Sequence, residues 1–177
     1  MEELTPKLLS MGDVQRVIQN LLREQVSVRD LVHILEILGD WAPHTKNPRL
    51  LAEYVRWALG RAITRKYLDE NQALPAVLLE PTLEESLLAA IRQHDVEPYL
   101  ALSPELARDV ILAIQKVLET HLQRSRPPVL LCDAQLRPHL KQLVERYIPT
   151  LAVLSHREVD RDVTVQTLDM VRLRHEG

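Results

Sequence analysis

The chain has 177 residues, 46% hydrophobic and 27% charged, a balance typical of a folded protein rather than a disordered one. The net charge of −3 argues against a basic surface for nucleic acid, and the single cysteine excludes an internal disulfide. No apolar run approaches the roughly 18–20 residues that cross a bilayer, so the chain as given is expected to be soluble and cytosolic.

The first seventy residues predict a small subdomain of three short helices, because their apolar residues recur at helical spacing. Ser27 is the expected N-cap of the second helix. Asn47 is the expected N-cap of the third helix, with Pro48 at its first position. The predicted buried faces are Val14, Val17, Ile18, Leu21 and Leu22; then Leu31, Ile34, Leu35 and Leu38; then Leu51, Tyr54, Val55, Ala58, Leu59 and Ala62.

After the polar segment 69–72 the pattern changes to short apolar runs that alternate with helices, which places a boundary between residues 1–70 and 71–177. Predicted strands cover 76–79, 129–131, 152–154 and the alternating segment 163–168. Three helices are predicted between these strands. The first begins with a capping box of Thr82 and Glu85 and runs to about His94, and the second begins at Ser103 with Pro104. The third has Asp133 as its cap, although Pro138 fits that helix poorly.

Continuous apolar strands separated by helices favour a mostly parallel sheet that is covered on both faces. The predicted fold class is therefore α+β or α/β: a helical subdomain, 1–70, followed by a helix–strand subdomain, 71–177, with a sheet of three to four strands.

Several segments together resemble one known family, although no single segment is diagnostic. Val14–Gln25, Val28–Leu31 and Ile34–Leu38 are typical of it, as are Glu53–Arg56, Ala58–Thr64, Pro128–Leu131 and Val153–Glu158. In order and spacing they resemble the C-terminal cytoplasmic part of the FlhA-like export-gate family of flagellar and type III secretion systems.

This resemblance implies a ring subunit rather than an enzyme. Family members have an N-terminal membrane part and four cytoplasmic subdomains, of which this chain resembles the third and fourth. The implied partners are further copies in a nonameric ring, export chaperones, gatekeeper proteins, secreted substrates and other export apparatus proteins. The chain itself would reach the inner membrane only through the N-terminal part that it lacks, and most of the chaperone site would also lie outside it.

The parent system is predicted to be a virulence injectisome, with the flagellar export gate as the alternative. Ile91–Gln93 followed by Tyr99–Ser103, together with Trp41–Pro43, looks closer to the virulence-type members.

The rival from another class is a small α/β enzyme with a pocket near Cys132 and Ser155. Cys132, Asp133 and His139 lie close in sequence at a strand end, where α/β proteins often bind ligands. The simpler interpretation makes Cys132 a buried apolar residue, Asp133 a helix cap and His139 a surface residue. A third possibility is an adaptor that binds a partner helix in a groove.

The sequence predicts neither a metal nor an organic cofactor. The seven histidines are never spaced to place two imidazoles together on one helix face, and no glycine-rich phosphate loop follows a strand.

Charged and aromatic residues of the third helix are the candidate site. Family rings place this subdomain against the neighbouring subunit, so the resemblance implies subunit contacts, whereas a solvated face with helical ion pairs is the alternative. The candidates are Arg49, Glu53, Arg56, Trp57 and Arg61. Trp57 has core packing as its own alternative.

Overall fold

The computed structural model describes residues 8–174 and divides the chain into two compact units, Met1–Ile63 and Thr64–Gly177. The division falls between Ile63 and Thr64, ahead of the polar segment 69–72. The proposed subdomain boundary after residue 70 stays a prediction.

The first unit is helical, as predicted. Its helices are α1 (Met11–Arg23), α2 (Leu31–Trp41) and α3 (Pro48–Ala58), and α4 (Gly60–Arg65) contains the division between the units. The predicted third helix is thus interrupted at Leu59. The core is aliphatic and comes from all three longer helices, with Val17, Leu21, Ile34, Leu38, Leu51 and Val55 fully or almost fully buried.

The start of α2 differs from the prediction. Asp30, not Ser27, is the N-cap, and its carboxylate accepts a hydrogen bond from the His33 N–H. The Ser27 hydroxyl instead accepts from the Arg29 N–H, ahead of the helix. The prediction for α3 is confirmed, because the Asn47 side chain accepts from the Arg49 N–H and Pro48 lies in the first turn.

The second unit contains a four-stranded sheet in the order β5-β4-β1-β6, and every pair in it is parallel. The strands are β1 (Ala73–Leu79), β4 (Val129–Cys132), β5 (Val153–Ser155) and β6 (Thr164–Val171). This confirms the predicted sheet. Pro75 is tolerated inside β1 because pairing with β4 begins only at Ala76.

A bulge interrupts the pairing of β1 with β6. Ala76 lies opposite Thr167 and Val77 lies opposite Asp169, so Leu168 is an additional residue in β6. Such an insertion bends the strand and disrupts its ladder locally.

Three helices and a small hairpin complete this unit. They are α5 (Pro81–Ala89), the antiparallel pair β2 (Ile91–Arg92) and β3 (Tyr99–Leu100), α6 (Pro104–Glu119) and α7 (Arg137–Val144). The predicted helix to His94 is therefore too long, because the chain leaves α5 at Ala90 and enters the hairpin. Apolar residues of the helices and strands form one core, including Val77, Leu87, Ile114, Leu130, Leu140 and Val153.

Two of the three predicted helix starts in this unit are wrong. Pro81 begins α5, so Glu80 is the N-cap and Thr82 lies inside the first turn without a capping bond. Asp133 begins a turn, and α7 starts only at Arg137, which places Pro138 in the first turn where a missing N–H costs least. Ser103 caps α6 as predicted, by accepting from the Leu106 N–H.

Candidate functional site

The candidate residues of the helical unit differ sharply in exposure. Arg49 and Arg61 are exposed at the start of α3 and on α4. Trp57 is half-buried and packs edge-on against Tyr54, with ring centroids 4.9 Å apart. Tyr54 in turn stacks on Trp41 at 3.9 Å. The aromatic residues of this unit thus form a contiguous group that joins the end of α2 to α3, and Trp57 combines packing with partial exposure.

Glu53 and Arg56, by contrast, are buried inside the helical unit. Glu53 is 5% exposed and Arg56 is 3% exposed, and the Arg56 guanidinium lies 3.8 Å from the carboxylate of Glu24. Neither residue belongs to a solvated face, and neither offers a neighbouring molecule much surface. The interface role of the set stays a prediction, and its accessible part is Arg49, Trp57 and Arg61.

The carboxyl edge of the parallel sheet holds the residues of the rival enzyme hypothesis. Cys132 is completely buried in the core, and burial raises the pKa of its thiol because a thiolate there would lose its solvation. The Asp133 carboxylate accepts from the Gln135 N–H, and the Asp133 N–H donates to Glu84. His139 is half-buried on α7. A buried, protonated thiol is a poor nucleophile, so this group has the character of a core rather than of a catalytic site.

The same edge contains a buried ion pair that the sequence did not reveal. Arg137 and Glu158 are each 1% exposed, and the Arg137 Nε lies 3.6 Å from the Glu158 carboxylate. The second carboxylate oxygen of Glu158 accepts from the Ser155 N–H, while the Glu158 carbonyl accepts from the Thr64 hydroxyl at 2.8 Å. Glu158 thereby joins the turn after β5 to α7 and to the end of α4.

Two basic side chains of α7 bond to the strand β5 and the segment before it. Arg137 donates to the Val153 carbonyl at 3.0 Å and Lys141 donates to the Leu151 carbonyl at 2.8 Å. Four residues of helix rise about 6.0 Å and two residues of strand about 6.6 Å, so the donors and acceptors have matching spacing. The available sequence signal was a basic residue directly after each of the apolar residues Leu136 and Leu140.

An open depression of about 320 Å³ lies at the opposite edge of the sheet. It is lined by Asp69, Glu70 and Asn71 before β1 and by Arg124, Ser125 and Arg126 before β4. Both charge signs occur together there, and the lining contains none of the predicted site residues.

Two further observations concern residues 8–174 alone. No three histidine, cysteine or acidic side chains among them are grouped so that they could hold a metal ion. None of the helices in this part of the chain has the length and apolar character required to cross a bilayer.

Comparison with known proteins identifies relatives over nearly the whole chain. The FHIPEP family matches residues 1–164. The flagellar biosynthesis protein FlhA of Bacillus subtilis is 38% identical over 96% of the chain, which corresponds to 25% of that protein. The low calcium response locus protein D of Yersinia pestis is 29% identical over 94% of the chain and 24% of that protein. The chain therefore spans about a quarter of the length of these curated relatives.

Solved structures of similar proteins have the same fold as this chain. The Chlamydia pneumoniae CdsV protein matches with a TM-score of 0.88 and 32% identity, over 97% of this chain and 49% of that one. It is also known in a complex with the CdsO protein, where the TM-score is 0.87. Nonameric EPEC SctV-C, solved by cryo-EM, matches with a TM-score of 0.83 and 31% identity, over 96% of this chain and 51% of that one. The parallel sheet, the helical unit before it and the match to residues 1–164 together show that this chain belongs to the FHIPEP family.

Proposed function

We propose that this chain is the C-terminal portion of a type III export gate, where it helps build a cytoplasmic ring that docks chaperone–substrate complexes and helps order protein export. The supporting observation is the similarity over 96% of the chain to a protein whose solved structure is a nonamer. Each subunit of the nonameric SctV-C structure is longer than the present chain, which aligns with about half of that subunit.

A binding role fits the chemistry of the second unit better than catalysis. The most reactive side chain type present, the single cysteine, is buried with a raised pKa. The buried ion pair of Arg137 and Glu158 bonds to backbone groups of its own unit. We therefore propose a scaffold for protein contacts and assign no catalytic residue.

We propose that the ring contacts involve the exposed part of the candidate set, Arg49, Trp57 and Arg61. Arg and Trp are frequent anchors of protein interfaces, because both combine a large apolar area with directional hydrogen bonds. Contrary to the expected burial of Leu31, the same unit exposes Leu31 at 46% and Val32 at 69% on α2. Adjacent exposed apolar side chains are also typical of contact surfaces.

One of the proposed partners is suggested by a solved relative. CdsV is known in a complex with CdsO, and we propose that this chain likewise contacts another export apparatus protein. Chaperones, a gatekeeper and secreted substrates are further proposed partners. Attachment to the inner membrane would come from the N-terminal membrane part that the family resemblance implies.

The parent system has two candidates. We propose a virulence injectisome on the basis of the segments 41–43, 91–93 and 99–103, which resemble the virulence-type members of the family. The flagellar export gate is the second candidate, favoured by the 38% identity to Bacillus subtilis FlhA against 29% to the Yersinia pestis protein.

The decisive experiment uses the complete parent protein in its own bacterium. Deleting the region that corresponds to this chain should abolish secretion, and restoring it should recover secretion. Loss of secreted virulence proteins with normal motility indicates an injectisome, whereas loss of motility and of secreted flagellin indicates a flagellum. Normal secretion of both classes after the deletion would contradict the proposed function.

A further inference from the structure

The depression at the amino edge of the sheet contains two arginines that are available to a partner. Arg124 and Arg126 line it from the segment before β4. Among the described residues, neither guanidinium has a hydrogen bond or an ion pair. A guanidinium pairs with a carboxylate through parallel N–H donors, so these two side chains can receive acids without losing an existing partner.

The hairpin of β2 and β3 carries acids at the same spacing. Its tip lies between Arg92, where β2 ends, and Tyr99, where β3 begins. Within the tip, Asp95 and Glu97 are two residues apart, as are the two arginines of the depression. Asp95 is exposed, and in the described part of one chain it has no ion pair with either arginine.

An apolar residue accompanies each of these charged pairs. Val96 lies between the two acids of the tip and is 80% exposed, and Leu122 lies two residues before Arg124 and is 76% exposed. They are the two most exposed large apolar side chains among the described residues. Contact between them would remove both from water, so apolar burial and opposite charges favour the same pairing.

The acids of the depression do not oppose this pairing. The Asp69 carboxylate already accepts hydrogen bonds from the Asn71 and Ala73 N–H groups. Glu70 is exposed, and the hairpin carries His94 directly before its acids, so an approaching tip also brings a basic group for Glu70.

Other occupants fit the depression less well. Small-molecule sites are mostly apolar and enclose their ligand, whereas this depression is open and charged. Another acidic pair of the unit, Asp160 and Asp162, flanks the exposed Arg161, which would bring a like charge to the arginines.

We propose that the hairpin tip 95–97 of one copy of this chain docks into the depression of Arg124 and Arg126 on a second copy. Tip and depression are different surfaces, so the contact is heterologous and joins copies head to tail. Such a contact closes into a ring when the rotation between neighbours allows it. Its place in a ring rests on the proposed function, whereas the contact itself does not.

The test is self-association of the present chain, measured by sedimentation velocity at increasing concentration. The contact is small, so we expect weak association that decreases as salt is added. Arg124→Glu with Arg126→Glu should weaken it at least about tenfold, because like charges then meet. The control, Arg172→Glu with Arg174→Glu, makes the same charge change at two exposed arginines of the same spacing and should leave association unchanged.

Reversing the charges of the tip provides the complementary test. Asp95→Lys with Glu97→Lys should also weaken association at least about tenfold. Mixing this chain with the Arg124→Glu, Arg126→Glu chain should restore association, because each tip then meets a depression of opposite charge. Circular dichroism checks that each variant is folded. Asp95→Lys alone changes one exposed residue and replaces the double variant if that variant does not fold.

A chain that stays monomeric at every concentration, equal losses for the control and the depression variant, or a mixture that does not associate would each overturn the inference. The secretion experiment concerns the whole region and the proposed contacts of the helical unit concern other residues. Failure of this contact is therefore distinguishable from failure of the proposed function.

Discussion

At the residue scale, the thiol of Cys132 illustrates how burial controls reactivity. It lies among aliphatic side chains at the end of β4, and burial raises its pKa more than the charge of Arg137 lowers it. In the unfolded chain this pKa returns to its ordinary value of about 8.5. Above that pH the unfolded chain loses a proton that the folded chain keeps, so the contribution of Cys132 to stability falls as pH rises.

We therefore predict that the folded chain does not react with an aromatic disulfide reagent at pH 8. Reaction should appear only as urea unfolds the chain, and it should follow the unfolding transition measured by circular dichroism. Cys132→Ala provides the background signal. Rapid labelling of the native chain would show that the thiol is accessible and would revive the enzyme hypothesis.

The buried pair of Arg137 and Glu158 gives a second prediction at this scale. Arg137→Met leaves the Glu158 charge buried without this partner, so we expect the free energy of unfolding to fall by about 3–5 kcal/mol. Urea titration measures the loss. The control is Arg161→Met, an exposed arginine in the same unit, with an expected change within about 0.5 kcal/mol. Similar losses for the two variants would contradict a special role for the pair.

At the scale of elements, helix starts show how neighbouring residues compete for the same role. The sequence predicts both Ser103 and Thr82 to be N-caps. Ser103 does cap its helix by accepting a hydrogen bond from the Leu106 N–H, whereas Thr82 lies inside the first turn of α5 and caps no helix. Pro81 decides the other case, because its fixed φ begins α5 one residue before Thr82.

Ser103→Ala should accordingly destabilise the chain by about 1 kcal/mol, the typical value of a lost N-cap. Thr82→Ala is the matched control, and its expected effect is within about 0.5 kcal/mol because its hydroxyl caps no helix. Thermal unfolding followed by circular dichroism measures both. A larger loss for Thr82→Ala than for Ser103→Ala would show that α5 starts where the sequence predicted.

The packing of α7 on β5 is a further property of whole elements. Arg137 donates a hydrogen bond to the Val153 carbonyl, and Lys141 donates one to the Leu151 carbonyl. The helix α7 therefore packs on the sheet and also supplies hydrogen-bond donors to the backbone at the β5 edge of the sheet. This explains how β5 remains at the edge of the sheet with only three residues and one strand neighbour.

At the scale of the whole molecule, the proposed ring depends on surface that a single chain leaves exposed. In the complete parent protein we predict that Arg61→Glu weakens association by about fivefold or more, as expected for an interface anchor. Mass photometry of the purified protein measures assembly, and secretion measures function. Arg146→Glu, an equally large charge change at an exposed arginine of the second unit, is the control. Unchanged assembly with Arg61→Glu would remove this residue from the interface.

Much of the architecture was predictable from the sequence, because helical periodicity and continuous apolar runs are local patterns that indicate helices and buried strands. These patterns led to the helical first unit, the four parallel strands and the caps at Asn47 and Ser103. The burial of Cys132 also agreed with its simpler interpretation as an apolar core residue.

Only the tertiary structure decided which charged residues are inside. Glu53 and Arg56 are charged residues of the type usually found on the exposed face of a helix. Both are buried, and the Arg56 guanidinium lies close to the carboxylate of Glu24 in another part of the unit. The rest of α7 and the strand β5 separate Arg137 from Glu158, and the Thr64 hydroxyl bonds to the Glu158 carbonyl from still farther along the chain. Such pairings depend on distant segments meeting in space, and no local pattern of residues encodes that meeting.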